Sequence, residues 1–193
     1  MEIEKQTVTD EVLGVYATIP VRFEVTSILS PELINDGLAC IVFREKTVNP
    51  PYTKGNDALE TEEITRWTRS FDTSHWVLFL ARQGNTPVVG ATVAFRSPKV
   101  HMLRGREDIT VLWDIRVHPD FRQSGIGTAL FSEAANWSRE QGCKYMKIET
   151  QDTNLPACRF YLKQGSRLGE INRFTYTDPR VSHETMLVWY LEL

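Results

Sequence analysis

Between Ile109 and Gly142 three kinds of segment follow one another directly. "ITVLWDIRV" is apolar and β-branched, "HPDFRQSG" carries proline and glycine, and in "IGTALFSEAANWSREQG" Ile126, Leu130, Ala134 and Trp137 recur at helical spacing. Gly142 stands where a helix C-cap belongs. A strand feeding a helix through so short a joint points to a domain in which helices pack on a central sheet.

The surrounding pattern extends that reading. "WVLFLAR" and "VVGATVAF", separated by "QGNTP", predict a β-hairpin, and "KYMKIET" predicts a further strand. "QDTNLP" leads into the short helix "ACRFYLKQ", with Asn154 as cap, Pro156 in the first turn and Gly165 at the end. "RLGEINRFTYT" and "ETMLVWYLEL" read as two closing strands. Earlier in the chain, Val21 to Leu29 alternates like a strand, and "PELINDGLACIVFREKTV" reads as a helix. "NPPYTKGND", from Asn49 to Asp57, is a turn-rich loop, and "ALETEEITRW" a helix with a strongly acidic side. The 193 residues suit one domain, 1–193, of mixed α/β (α+β) class, without internal repeats.

Charge and cysteine usage narrow the partners. A formal net charge of −3 lacks the basic balance of a nucleic-acid binder and mildly favours a cationic small molecule. Cys40, Cys143 and Cys158 are odd in number and widely spaced, as in a reducing compartment. "MEIEKQTVTDEVLG" has neither the basic start nor the apolar stretch of a signal peptide, and no run approaches the ~20 apolar residues of a membrane helix. These features predict a cytoplasmic protein without a membrane partner.

The glycines at the strand-to-helix joint have a chemical use. Arg122-Gln123-Ser124-Gly125-Ile126-Gly127 would present several backbone N–H groups at the positive end of a helix dipole, a point that attracts phosphate. A turn that only reverses the chain is the plain alternative. A nucleotide P-loop would need Lys-Ser or Lys-Thr after the loop, which is absent. The dinucleotide fingerprint would need a third glycine.

"VHPDFRQSGIGTALF" resembles the acetyl-CoA loop of the GNAT acetyltransferases, whose signature is Arg or Gln, two variable residues, Gly, one variable residue, and Gly or Ala. Arg122, Gly125 and Gly127 match it. "LWDIRVHPDFR", "IETQDTNLPACRFYLKQG" and "MLVWYLEL" are similar to the streptothricin acetyltransferase branch, over roughly Trp76 to Leu193. The resemblance implies a GNAT-like acyl-CoA N-acyltransferase fold: a twisted central sheet, flanked by helices, whose fourth and fifth strands splay apart. It implies acetyl-CoA as co-substrate and no metal. Main-chain groups of Ile115 and Val117 would pair with the pantetheine arm. The N–H groups of Gln123, Ser124, Gly125, Ile126, Gly127 and Thr128 would hold the pyrophosphate. Asn154 would hydrogen-bond the arm from the opposite side, and Tyr161 would lie beside the thioester sulfur. A homodimer is compatible with all of this.

Amide formation from an amine and a thioester needs a base, because an alkylammonium of pKa ~10.4 is mostly protonated at neutral pH. Alternation in "LWDIRV" sets Asp114 on the face opposite Trp113 and Ile115, with Arg116 on its own side. Asp114 is therefore a candidate base or amine anchor, or one half of a structural Asp-Arg pair. Glu149 is the alternative base. Tyr161 could protonate the departing thiolate, or could simply pack beside Phe160. The four histidines are scattered without metal-binding spacing, and His118, before Pro119, suits a turn. Cys158 reads as packing.

Two functional classes remain from the sequence. One is an N-acetyltransferase acting on a primary amine of a small cationic molecule, streptothricin-like compounds being the nearest named class, with protein or peptide amines and polyamines as other acceptors. The other is a non-catalytic acyl-CoA-binding regulatory module. The acidic run Asp57, Glu60, Glu62 and Glu63 could attract a cation or be a solvated helix face.

Overall fold

The computed structural model describes residues 1–55 and 63–193. In chain order its elements are β1 (Ile3–Thr7), α1 (Asp10–Tyr16), β2 (Phe23–Ile34), β3 (Cys40–Lys54), α2 (Trp67–Ser70), β4 (Val77–Gln83), β5 (Thr86–Ala94), β6 (Ile109–Val117), α3 (Ile126–Glu140), β7 (Tyr145–Gln151), α4 (Leu155–Lys163), β8 (Arg167–Asn172) and β9 (Met186–Glu192). The chain divides into two compact units, Met1–Arg22 with Gly55–Ile148 and Tyr190–Leu193, and Phe23–Lys54 with Glu149–Trp189.

In the first unit the strand order is β1-β4-β5-β6-β7. β1, β4, β5 and β6 pair antiparallel with their neighbours, and β6 with β7 is parallel. The expected hairpin is β4–β5, and the expected strand and helix around the glycines are β6 and α3. The core joins Leu13, Tyr16 and Ile19 to Trp67, Trp76, Leu78, Leu80 and Ile109.

Helix α1 forms because Thr9 Oγ1 accepts from the Val12 N–H at 3.2 Å while Asp10 and Glu11 complement the first turn. Its fully buried residues Leu13 and Tyr16, three apart, share one face. Tyr16 lies over a strand position that only glycine fits. A Cβ at Gly90 would stand 2.7 Å from Tyr16 Cε2 and 2.9 Å from the Phe79 carbonyl oxygen. Gly90→Ala should therefore destabilise the fold by about 1–3 kcal/mol, read as a lower denaturation midpoint at unchanged slope. An unchanged midpoint would contradict this packing.

The second unit corrects three expectations. The segment expected as a helix, Pro31 to Val48, is instead most of an antiparallel hairpin, β2 with β3, in register from Ser27↔Thr47 to Ile34↔Cys40. Its turn runs through Asn35, Asp36 and Gly37, all at positive φ (53°, 54° and 91°), a geometry that Asn, Asp and Gly tolerate and an α-helix excludes. The loop expected over Asn49–Asp57 is strand as far as Lys54, with the register jumping from Val25↔Tyr52 to Ser27↔Thr47. The strand expected over Arg167–Thr177 ends at Asn172.

β3 is tied to the segment after β7 by Lys54 Nζ, which bonds Thr153 Oγ1 at 2.9 Å and pairs with the buried Glu184. β2 is tied there by the Leu29 N–H on the Asp152 carbonyl at 2.9 Å. The strand order on this side is β7-β9-β8. Of the acidic helix expected over Ala58–Trp67, only the stretch from Glu63 is described, so Asp57, Glu60 and Glu62 lie outside the described residues.

Candidate active site

β6 ends with main-chain groups that face away from β5 and that β7 does not pair. The His118 N–H donates to the Val88 carbonyl at 2.8 Å, which makes His118 and Val88 a hydrogen-bonded antiparallel pair. The ladder runs Val89↔Val117, Gly90↔Arg116, Ala91↔Ile115, so alternation aims the N–H and C=O of Ile115 and Val117 away from β5. On the other side β6 shares only four pairs with β7, ending at Leu112↔Ile148. Ile115 and Val117 lie beyond that end, without a ladder partner from β7 among the described residues. Counted within this sheet, β6 and β7 are its fourth and fifth strands in chain order.

From that edge the chain turns into α3. Arg122 does not reach into open space: its Nε donates to the Val117 carbonyl at 3.1 Å and its Nη2 to the Arg22 carbonyl at 3.0 Å, bracing the loop on the end of β6. Ser124 Oγ donates to the Phe121 carbonyl at 2.6 Å. Gln123 (φ 62°) and Gly125 (φ 86°) both adopt the left-handed region. Gly125 is the N-cap of the 15-residue α3 and provides no side-chain cap.

Its carbonyl accepts from the N–H groups of Thr128 and Ala129, both at 3.1 Å. The N–H groups of Ile126 and Gly127 fall in the first turn, where a helix has no internal acceptor. A Cβ at Gly125 would meet nothing within 4 Å. The arrangement suits an anion approaching the backbone along the helix axis.

Asp114 is built into a fixed network. Its Oδ2 accepts from Arg116 Nε at 2.7 Å and from the Tyr16 hydroxyl at 2.8 Å, and Arg116 Nη1 continues to the Ile19 carbonyl at 3.2 Å. Arg116 is buried, its guanidinium 5.5 Å from the Tyr16 ring centroid. Burial, followed by the Asp114 charge, pushes the Tyr16 phenol well above its ordinary range. The Asp-Arg pair foreseen from alternation is present, with Tyr16 as a third member.

In the second unit Glu149, at the end of β7, accepts on Oε1 from the Tyr176 hydroxyl at 2.8 Å, and Gln151 Nε2 donates to the same hydroxyl oxygen at 3.0 Å. Burial raises the Glu149 carboxyl above its usual range, and the Tyr176 hydrogen bond opposes that rise. Asn154 Oδ1 caps α4 by accepting from the Ala157 N–H at 3.2 Å, which leaves its amide NH₂ as the donating end. Tyr161 is buried in α4, edge-on to Phe160 with ring centroids 5.3 Å apart.

Cys158 is buried and its thiol is pushed up by burial, the opposite of an activated nucleophile. His118 Nδ1 accepts from the Asp120 N–H at 3.3 Å, closing the turn that contains Pro119. Among the described residues no group of three or more His, Cys, Asp or Glu could hold a metal, and no helix is long and apolar enough to cross a membrane.

Residues 43–165 match the acetyltransferase (GNAT) family. The chain belongs to that family. Among curated proteins it is similar to the streptothricin acetyltransferase A of Bacillus subtilis, 36% identical over 77 residues, covering 40% of this chain and 44% of that protein. It is also similar to a streptothricin acetyltransferase of Escherichia coli, 36% identical over 93 residues, covering 48% and 53%. The matches thus span about half the length of these curated GNAT relatives. Among solved structures, a nourseothricin acetyltransferase superposes with a TM-score of 0.75 at 19% identity, covering 98% of each chain. A Bacillus anthracis protein solved in complex with acetyl coenzyme A superposes at 0.74 with 21% identity, covering 100% of each. These establish the shared mixed α/β GNAT fold.

Three participants in these GNAT networks had no place in the sequence reading: Tyr16, Tyr176 and the Lys54–Glu184 pair. Tyr16 was findable, since Thr9-Asp10-Glu11 is a helix-start signal followed by apolar Leu13 and Tyr16. Tyr176 sits in an irregular segment, where no periodicity reports which way a side chain points.

Proposed function

We propose that residues 1–193 form one acetyltransferase domain that moves acetyl from acetyl-CoA to a primary amine of a small cationic molecule, a streptothricin-like compound first among them. The observation that carries the reading is the N-terminus of α3: Gly125 at φ 86°, without a side-chain cap, and the first-turn N–H groups of Ile126 and Gly127 at its opening. That end would take the pyrophosphate through the backbone N–H groups from Gln123 to Gly127, with Arg122 holding the loop in shape; the N–H of Thr128, expected to join them, is instead spent on the Gly125 carbonyl. The edge groups of Ile115 and Val117 would receive the pantetheine arm as an added strand. The Asn154 amide would donate to the same arm. Three free cysteines suit work in the cytoplasm.

The co-substrate supplies an activated thioester. Glu149 takes the proton from the acceptor amine, whose nitrogen bonds to the acetyl carbonyl carbon as the carbon–sulfur bond breaks. Tyr161 donates its hydroxyl to the departing sulfur. Glu149 is preferred over Asp114 because Oδ2 of Asp114 is already shared by Arg116 and Tyr16, whereas burial disfavours the charged form of Glu149 and so favours its taking up a proton. Asp114 then serves to fix β6 beside the arm.

The test is acetyl-CoA turnover, followed as free thiol, against streptothricin, polyamines, aminoglycosides and histone-like peptides. Preferential acetylation of streptothricin at an amine is the expected result. A preference for neutral amines or peptide N-termini would overturn the acceptor class, and CoA binding without any turnover would return the chain to a regulatory role. Tyr161→Phe should lower kcat about 10- to 100-fold with CoA affinity nearly unchanged, because the hydroxyl matters mainly as charge grows on sulfur. Unchanged kcat in steady-state assays would make Tyr161 a packing residue.

A further inference from the structure

We infer that Tyr176 is a positioning residue for Glu149, its hydroxyl engaging one carboxylate oxygen so that the other is presented to the proton of the acceptor amine. This rests on the reading of Glu149 as the base. The hydrogen-bond accounting determines the direction of the contact. Gln151 Nε2 donates to the Tyr176 oxygen at 3.0 Å, so the single phenolic hydrogen is spent on Glu149 Oε1 at 2.8 Å. Glu149 and Gln151 are two apart on β7 and so share a face, which lets one phenol bridge both. With Oε1 engaged, Oε2 is the oxygen presented to substrate. Oε2 takes the proton of the ammonium and so frees the nitrogen lone pair; in the transfer step the new bond joins amine nitrogen to carbonyl carbon, the electron pair of the broken carbon–sulfur bond leaves on sulfur, and the second proton lost by nitrogen ends on that sulfur as the thiol.

Tyr176 belongs to the irregular stretch between β8 and β9. That stretch is organised locally by the Phe174 N–H on Asn172 Oδ1 at 2.9 Å and by the Ser182 N–H on the Asp178 carbonyl at 2.8 Å. The simpler role for Tyr176 would be to tether this stretch to β7. The two roles differ in what they do to the titration of Glu149. A hydrogen bond donated to the carboxylate favours its charged form, against the burial that raises its pKa.

Besides burial, the groups acting on Tyr176 are Glu149, Gln151 and Glu184, and Glu184 is itself paired with Lys54. Removing only the phenolic hydroxyl should therefore raise the Glu149 pKa, move the acidic limb of the rate profile to higher pH, and lower activity at neutral pH. A tether alone would change stability and leave the limb in place.

The experiment compares wild type, Tyr176→Phe, Gln151→Leu and Glu149→Gln. Glutamate Cδ is titrated by ¹³C NMR without substrate, the signal of Glu149 being assigned by its loss in Glu149→Gln. The pH profile of kcat/KM is then measured with acetyl-CoA and streptothricin. In Tyr176→Phe the Glu149 pKa and the acidic limb should both rise by about one pH unit, with activity falling about tenfold and the KM for acetyl-CoA unchanged. Gln151→Leu should shift both in the same direction by less.

An unmoved Glu149 titration in a folded Tyr176→Phe protein overturns the inference while leaving Glu149 as base. If the titration moves but Glu149→Gln keeps wild-type turnover and its acidic limb, the base assignment falls and the positioning role with it. Wild type that fails to acetylate streptothricin overturns the acceptor reading alone, and the Glu149 titration in Tyr176→Phe still decides the positioning role.

Discussion

Replacing Glu149 by glutamine should lower kcat for acetyl transfer by about 10²- to 10⁴-fold while leaving acetyl-CoA affinity within a small factor. The amide has almost the same shape, and its carbonyl oxygen can still accept from Tyr176, so the local structure should survive. It cannot take a proton. An alkylammonium of pKa ~10.4 keeps its proton at neutral pH, and a nitrogen whose lone pair is tied to that proton cannot attack the thioester.

The sign of the pH effect follows from the same carboxyl. Burial lifts the Glu149 pKa, and the proposed role as base needs the deprotonated form, so kcat/KM should fall as pH drops through that raised value, with the fall beginning at higher pH than for an exposed glutamate. Steady-state kinetics across pH on both proteins is the check. A Glu149→Gln enzyme within threefold of wild type would hand the role to a relayed water.

Gly125→Val should weaken CoA binding by about 10- to 100-fold, the size expected for losing one or two charge-assisted backbone hydrogen bonds to a phosphate. Either of two effects suffices. At φ 86° any L-residue is strained, and a β-branched one most of all, so the loop relaxes away from its present shape. If the loop instead holds its shape, the new side chain stands at the N-cap of α3, in open space where a Cβ now meets nothing within 4 Å, and would crowd a phosphate bound to the first-turn N–H groups. Calorimetric titration with CoA, beside a melting curve showing that the variant is folded, decides it. Unchanged affinity would remove the pyrophosphate from this loop.

Legibility in the sequence followed the range over which a residue's environment is decided. From Trp76 onward most elements are local statements: β-branched runs for β4, β5 and β6, a 3.6-residue apolar stripe for α3, and Asn154 with Pro156 and Gly165 bounding α4. Each can be read because a strand or helix with one apolar face has a period. The hairpin β2–β3 was missed although Asn35-Asp36-Gly37 carries a turn signature, because the apolar residues around it also suit helical spacing and only cross-strand pairing distinguishes the two. Helix α1 is only 7 residues long, too short for an apolar stripe to repeat, and its local signal is confined to the Thr9 cap and the acidic Asp10 and Glu11 of its first turn.

The sequence by itself determined the glycine joint between β6 and α3, and with it the backbone geometry of the loop, because positive φ at Gly125 and an uncapped first turn are properties of a few consecutive residues. It also determined that Asp114 and Arg116 share a face, being two residues apart on a strand; that they pair is seen in the fold.

Tertiary structure decided which partners each of the two candidate carboxylates has. Tyr16 reaches Asp114 from 98 positions away and Tyr176 reaches Glu149 from 27. One contact completes a fixed anion site and the other aligns a buried carboxyl. The reason is physical: proton affinity in a protein depends on burial and on hydrogen-bond partners brought in by folding, and neither is carried by the residue type or by its neighbours along the chain.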